Sequence, residues 1–377
     1  MKRSLTIATL LSGILLLAQS GSAETRPYSK VSLFFIYNGW TEKQAAGDVE
    51  LDESVFGLNI NQIVRPNFEF ELTGTYANAG YSDPVVGDLS LSSLNDTRFR
   101  GTLFLGDRRA SATLILNLPT GKVALTEEEY AVSIGLTDNS RKYVVRRFGQ
   151  GLDVGGEAFL HPKVGRVTFN IGGGYLNKGS YQLLDGLDGE YRFGSEIYGS
   201  AGFRVRSEPV SVHLNATYRM YTDDEFDGVA VYKSGPMLML DGRITYSRRV
   251  WVSAGVIALT RDKAELPESA SGELTEESVK SGRDEFLFDA STAIPLGERL
   301  RALGRVELKS VSANDYDSTS ELFRPEASYT GFGIGAGYQF TLSLWGSVVG
   351  SYYTGTVNKD NDLTGLGVTA ALIFRYW

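Results

Sequence analysis

The chain has 377 residues, a formal net charge of −8, two histidines and no cysteine. The lack of cysteine excludes a disulfide scaffold and thiolate metal sites, two histidines leave little for an imidazole-based one, and an acidic chain is a poor ligand for nucleic acid. Glycine (43) and tyrosine (20) are abundant and proline (10) is scarce, a balance that suits a large antiparallel β-structure.

Met1-Lys2-Arg3, an apolar run over 5–18 and Gly21-Ser22-Ala23 form the pattern of a secretory signal peptide. Cleavage is expected after Ala23, giving a signal segment 1–23 and a mature unit 24–377. Glu24 rather than Cys follows the cut, which argues against a lipid-anchored start. Loss of Lys2 and Arg3 takes the charge from −8 to −10. Beyond Ala23 no apolar run reaches the roughly eighteen residues of a membrane-crossing helix.

Period-two alternation then repeats along the chain. Strands are expected at 30–40 and 49–61, with Phe56, Leu58 and Ile60 set against Val55, Gly57 and Asn59. The clearest is 67–78, NFEFELTGTYAN. Phe68, Phe70, Leu72, Gly74 and Tyr76 share one face and Glu69, Glu71, Thr73 and Thr75 the other. The preceding Val64-Arg65-Pro66-Asn67 reads as a tight turn. A loop at 79–86 precedes a long, less regular strand at 87–105, whose middle, with Asp96 and Arg98, is expected to kink or bulge. Alternation returns at 110–118. A polar loop at 119–141 holds Glu127-Glu128-Glu129, and strands are expected at 143–160 and from Val167 to Tyr175.

A loop at 177–190 leads to a hairpin of 191–206 and 210–221, closed by Ser207-Glu208-Pro209. An acidic loop at 222–233 leads to a hairpin of 236–246 and 250–260. A long polar loop at 261–282 leads to one of 284–294 and 300–310. A loop at 311–326 leads to one of 328–340 and 342–354. A last loop at 355–362 precedes the final strand, 363–377.

Short turns alternating with long loops, on strands with one apolar and one polar face, describe a transmembrane antiparallel up-and-down β-barrel. The fold class is therefore all-β, with about sixteen strands and fourteen as the alternative count. The expected location is the bacterial outer membrane, with lipid around the wall and both chain ends on the periplasmic side. The residues ahead of Lys30 are too few for an internal plug domain. Leu366, Val368, Ala370, Leu372, Phe374 and Tyr376 share a face before Trp377. A last strand ending in an aromatic residue resembles the signal read by the barrel-assembly machinery. If Trp377 faces lipid, parity sends Arg375 there too, where a long side chain can snorkel.

Four segments carry a further likeness: RPNFEFELTGTY, GDLSLSSL, ASATLILNLPTGK and FGQGLDVGGEAFLHPKVGRVTFNIGGGYLNKG. In order and spacing they resemble the outer-membrane proteins linked to phenol meta-cleavage pathways, which are grouped with the fatty-acid and aromatic-hydrocarbon outer-membrane transporters. The likeness covers 64–179, about a third of the mature chain, and nothing matches after Gly189. The N-terminal plug of the fatty-acid transporters is absent. The resemblance implies passive uptake of small molecules, aromatic or otherwise hydrophobic.

With the apolar faces turned to lipid, parity places Glu69, Glu71, Asp153, Glu157, Glu196, Arg204, Arg206, His213, Arg219, Asp241, Arg243, Glu285, Asp289, Arg301, Arg305, Glu307 and Lys309 on the lumen. As a set they predict a wet, polar interior with a field that could sort solutes. Taken one at a time, cross-strand pairing that merely fills the barrel is the simpler role. Gly172, Gly174, Gly331, Gly333, Gly335 and Gly337 leave bare backbone, where the lumen widens, the sheet curves or a loop packs inward. Ser211 and His213 share a strand face but are about 7 Å apart, too far for a base to activate a nucleophile, and no catalytic, metal or cofactor site is expected. The function expected is a channel for passive solute uptake. The competing reading is a structural or partner-binding barrel with an occluded lumen.

Overall fold

The computed structural model describes residues 29–146, 148–268 and 273–376; the expected signal peptide and Trp377 lie outside them. Strands β1 (Ser29–Gln44), β2 (Gly47–Arg65) and β3 (Phe68–Asp83) open the chain. β4 (Gly87–Leu94) and β5 (Thr97–Leu105) follow as two halves of one broken stave, both laid along β3. β6 (Ala110–Leu118) leads through helix α1 (Glu127–Thr137) to β7 (Asp153–Leu160), the stub β8 (Lys163–Val164) and β9 (Val167–Asn177). Short β10 (Ser180–Tyr181) and β11 (Tyr191–Arg192) precede β12 (Glu196–Ser207) and β13 (Val210–Tyr221). Then come β14 (Asp224–Phe226), β15 (Val229–Tyr232), β16 (Met237–Ser247) and β17 (Trp251–Arg261). β18 (Glu265–Pro267) and β19 (Leu274–Glu276) precede β20 (Glu285–Pro295), β21 (Leu300–Val311), β22 (Ala327–Gln339), β23 (Leu344–Val357) and β24 (Asn361–Tyr376).

Each long strand pairs antiparallel with its neighbours in sequence, and β24 closes on β1 from Ser29↔Tyr376 to Glu42↔Leu363. One 18-stranded sheet results; with β4 and β5 sharing a stave and β8 only a stub, it is a closed barrel of sixteen staves. Closure leaves no unpaired edge, the condition for a sheet to stand in hydrocarbon. The outward faces carry an apolar band: Phe56, Ile334, Phe332, Leu366 and Phe374 are exposed on it. Such a band around a closed barrel makes this an outer-membrane β-barrel. No described helix is long and apolar enough to cross a membrane.

Several expected boundaries move. β1 and β2 extend to a turn at 45–46, and β3 runs on to Asp83, so part of the expected 79–86 loop is strand. The strict alternation of connection lengths holds only in part. The outer turns at 45–46, 84–86 and 358–360 are short, and the long outer connections run between β6 and β22. The expected strand at 143–160 begins only at Asp153, and the expected strand at 191–206 begins at Glu196. The chain before Glu196 joins a separate 4-stranded sheet, β10-β11-β14-β15, above the outer rim. The expected 119–141 loop contains α1, whose Thr126 N-cap and Glu129 form a reciprocal capping box. Glu127, Glu128 and Glu129 lie in its first turn, where the helix dipole favours acids.

Inward-facing glycines lie beneath aromatic rings. A Cβ on Gly331 would come within 2.5 Å of the Tyr353 ring, and one on Gly337 within 2.2 Å of Trp345. Gly174 lies under Tyr198 in the same way, at 2.7 Å from its hydroxyl. These glycines make room for inward rings.

Candidate functional site

The connection between β6 and β7 turns into the barrel. The stave break at Asn95-Asp96 holds its neck: the Asp96 carboxylate accepts the Gly121 N–H at 3.0 Å and the Gln150 N–H at 2.8 Å, one from each arm of the loop. Gly121 and Gly149 let the two arms touch. A Cβ on Gly121 would lie 2.2 Å from the Phe148 carbonyl oxygen, and one on Gly149 lies 2.6 Å from that of Lys122. Beyond the neck Lys122 is bonded to Glu129 of α1 at 2.6 Å.

α1 then lays Val132 and Leu136 into an apolar cluster with Ile36, Trp40, Leu51, Val55, Ala77, Ala79 and Leu91. All of these wall residues sit on the face opposite the lipid-facing Leu33, Phe56 and Tyr76, so this core is inside the barrel. After Asp138 the chain passes through the lumen as irregular backbone, with a turn at 139–140 and bends at 141, 144 and 146. Burial alone would raise the Asp138 carboxyl, but Arg283, Arg141 and the Ser140 hydrogen bonds outweigh it and hold the group well below the usual carboxylate range.

The crossing segment is gripped by the wall along its length. Arg141 pairs with Glu42 of β1. Lys142 Nζ lies 2.6 Å from Glu307 Oε2 of β21, with side chains only 6% and 3% exposed. The Trp40 indole donates to the Lys142 carbonyl at 3.4 Å, and the Tyr143 hydroxyl donates to the Leu51 carbonyl at 3.1 Å. The Val144 and Val145 N–H groups donate to the Glu53 carboxylate at 2.7 and 2.6 Å. Asn139 donates to Glu285 and accepts from Arg146. A charge taken out of water is tolerable when paired and hydrogen-bonded. Arg141 and Lys142 are paired with carboxylates in this way, whereas Arg146 is held by Asn139, with its Nε and one terminal nitrogen without a hydrogen bond among the described residues.

The residues assigned to the lumen by parity fall into two groups. Glu285, Arg305, Glu307 and Lys309 grip the loop: Arg305 bonds Glu307 at 2.5 Å, the Tyr329 hydroxyl donates to Glu307 at 2.7 Å, and Lys309 donates to the Arg141 carbonyl at 3.5 Å. The others line the remaining wall. Glu157 takes Arg100 at 2.6 Å and the Tyr198 hydroxyl. Arg219 lies over Tyr198 and bonds Glu196 at 2.5 Å. Lys178 bridges Glu196 and Asp153 at 3.2 and 3.0 Å. Arg243 clasps Asp289 at 2.8 Å, and His213 lies 3.8 Å from Asp241. Glu71 accepts from Asn59 at 2.8 Å, and Glu69 lies 3.5 Å from Arg108 in an inner turn. Arg301 stands over the Trp345 ring. Arg204 and Arg206 are exposed, and no carboxylate is bridged to either among the described residues. Arg375 shares the face of Ile373, which is 2% exposed, so it points inward with that side chain and not to lipid.

The expectation of a polar interior is thus corrected for half of it. From β22 through β24 and β1 to β4 many inward side chains are apolar, Trp40, Leu51, Val55, Ala77, Tyr329, Tyr353 and Leu363 among them, because they form the core on which the loop packs. Asn38, Glu42, Glu53, Asn59, Glu69 and Glu71 keep polar groups on the same inner face. Sequence reasoning missed Glu42, Glu53, Asp96, Arg100, Arg141, Lys142 and Arg146. Two signals bore on them: the capping-box spacing Thr126–Glu129, and the basic run from Arg141 to Arg146, which does not alternate. Ser211 and His213 form no pair. Ser111 Oγ and His161 Nε2 do meet, at 3.0 Å, but no carboxylate bonds His161 among the described residues, and burial lowers its pKa.

No protein-family model matches the chain, and neither does any curated protein. Among solved structures it is similar to Pseudomonas aeruginosa OccK7 (OpdD), at 10% identity and TM-score 0.43 over 93% of this chain and 100% of that one. The COG4313 outer membrane channel from Pseudomonas putida F1 is similar at 10% identity and TM-score 0.38, over 94% and 98%. The translocator domain of the autotransporter NalP from Neisseria meningitidis is similar at 11% and 0.37, over 99% and 100%. Likeness this distant, spread over channels and a translocator, concerns the barrel and nothing finer.

Proposed function

We propose that the protein is a channel through which small solutes cross the outer membrane passively, along the half of the lumen that the loop leaves uncovered. The observation that carries this reading is the division of the interior. Loop residues 138–146 are bonded to one wall, while on the facing wall Arg204 and Arg206 stay exposed and His213, Asp241 and Arg243 half-buried. A narrowed path lined by fixed charges of both signs selects by size and polarity.

The solute class we propose follows the likeness of 64–179 to phenol-pathway barrels: small aromatic molecules bearing a polar group, which suit a charged lining better than hydrocarbons do. Purified barrel in planar bilayers should show small, steady conductance, and proteoliposomes should take up a hydroxylated aromatic faster than a disaccharide. Equal rates for the two would remove the aromatic preference. Silent bilayers together with no uptake of either would favour the second reading, an occluded barrel, which rests on the tight bonding of the crossing segment. We also propose that the protein catalyses nothing, since the Ser111–His161 contact lacks an orienting carboxylate among the described residues.

A further inference from the structure

The two ends of the barrel carry opposite charge. The outer connections after β13, β17 and β21 are acidic, with Asp227, Glu268, Glu273, Glu276, Asp315, Asp317 and Glu321 exposed on them. The inner turns are basic. Arg65, Arg109, Lys163, Arg248, Arg249 and Arg299 are all exposed there, and none is bridged to a carboxylate among the described residues. Against them the same turns hold only Asp107, Glu208 and Glu298. Solvation alone does not explain a ring of one sign, since like charges on one rim repel.

A second observation says what the ring faces. Exposed apolar side chains stand beside the cations: Val64 next to Arg65, Leu105 one turn from Arg109, Val164 next to Lys163, and Leu296 near Arg299. They continue the lipid-facing band to its inner limit. A water-soluble partner that met the cations from the aqueous side would leave these side chains wet. A lipid leaflet covers them with acyl chain and brings phosphate to the height of the guanidinium groups, as in interfacial snorkelling.

We infer that the inner rim is a collar for anionic phospholipid headgroups, which draws such lipids around the barrel in the periplasmic leaflet. Near an anionic surface each such cation multiplies association roughly fivefold at low salt, and the effect fades as salt screens it.

The test uses the mature barrel in phosphatidylcholine vesicles with spin-labelled phosphatidylglycerol or spin-labelled phosphatidylcholine as probe. The wild type should hold the phosphatidylglycerol label several-fold more strongly at low salt, and the preference should fall as salt is added. R248Q/R249Q/R299Q, folded as judged by heat-modifiable migration, should lose most of that preference. Lys359→Gln, at the outer end, should keep it. If the triple variant does not fold, R248Q and R299Q singly should each lose a measurable part. Equal retention of the two labels by the wild type would overturn the inference, as would a folded triple variant with unchanged preference. Co-sedimentation of the detergent-solubilised barrel with purified peptidoglycan, lost in the triple variant, would also overturn it by assigning the collar to the cell-wall polymer.

Discussion

Replacing Glu53 by Leu should release the crossing segment while leaving the barrel closed. Glu53 is 0% exposed, and its carboxylate accepts the Val144 and Val145 N–H groups at 2.7 and 2.6 Å. Removing the acceptor leaves two buried backbone N–H groups without a partner, at about 1–3 kcal/mol each, so two cost about 2–6 kcal/mol. The substitution also relieves the burial of a carboxylate, which offsets part of that. A net loosening of about 2–4 kcal/mol remains, equivalent to a rise of roughly 30- to 700-fold in the released population. The ladder partners of Glu53, Asn38 and Ala79, are unchanged, so heat-modifiable migration should persist. In bilayers the variant should pass larger and noisier currents than the wild type. Trypsin added from outside should cut after Arg141, Lys142 or Arg146, which are 6%, 5% and 2% exposed in the intact protein. A folded variant with wild-type conductance and wild-type resistance to trypsin would refute the role given to this contact.

Three further outcomes follow from the same geometry. Lys142→Met leaves Glu307 with Arg305 and Tyr329 as partners, so the loss should sit at the low end of a broken buried pair, about 3 kcal/mol, and appear as tryptic cleavage at Arg141 or Arg146. Arg301→Glu, which changes a side chain over Trp345 and away from the loop, should shift the reversal potential toward cations with conductance little changed. Arg305→Glu, by contrast, places a second carboxylate beside Glu307 and should open the loop, so identical phenotypes for the two would contradict the division of the lumen. Asp138 has a depressed folded-state pKa; its stabilisation is therefore present above the ordinary carboxylate value of about 3.9 and is lost as pH falls below it. Loop fluctuations in single-channel records should grow below about pH 4, and Asp138→Asn should show them already at neutral pH with less acid dependence.

Alternation by itself determined the strands, the closed barrel and the side on which Phe68 and Phe70 stand. A period of two needs only neighbours in sequence, and a register slip would put charges in lipid. The irregular centre of 87–105 was legible as a break at Asp96, though not as the clasp of a loop neck. What β1 does with its inner face was not legible, because Phe34, Ile36 and Trp40 look no different from lipid-facing residues once Leu33, Phe35 and Tyr37 also are apolar. An apolar inner face has meaning only when something covers it. The cover is α1 and the crossing segment, supplied from a hundred residues downstream, as in Trp40 with Lys142 (|i−j|=102). Closure of the barrel decides this: it brings Glu42, Glu53, Glu285 and Glu307 to one side of the lumen, where Arg141, Lys142 and the Val144 and Val145 amides can be taken from water with partners in place. No local pattern encodes that meeting, because each partner is a strand residue whose own alternation is already satisfied.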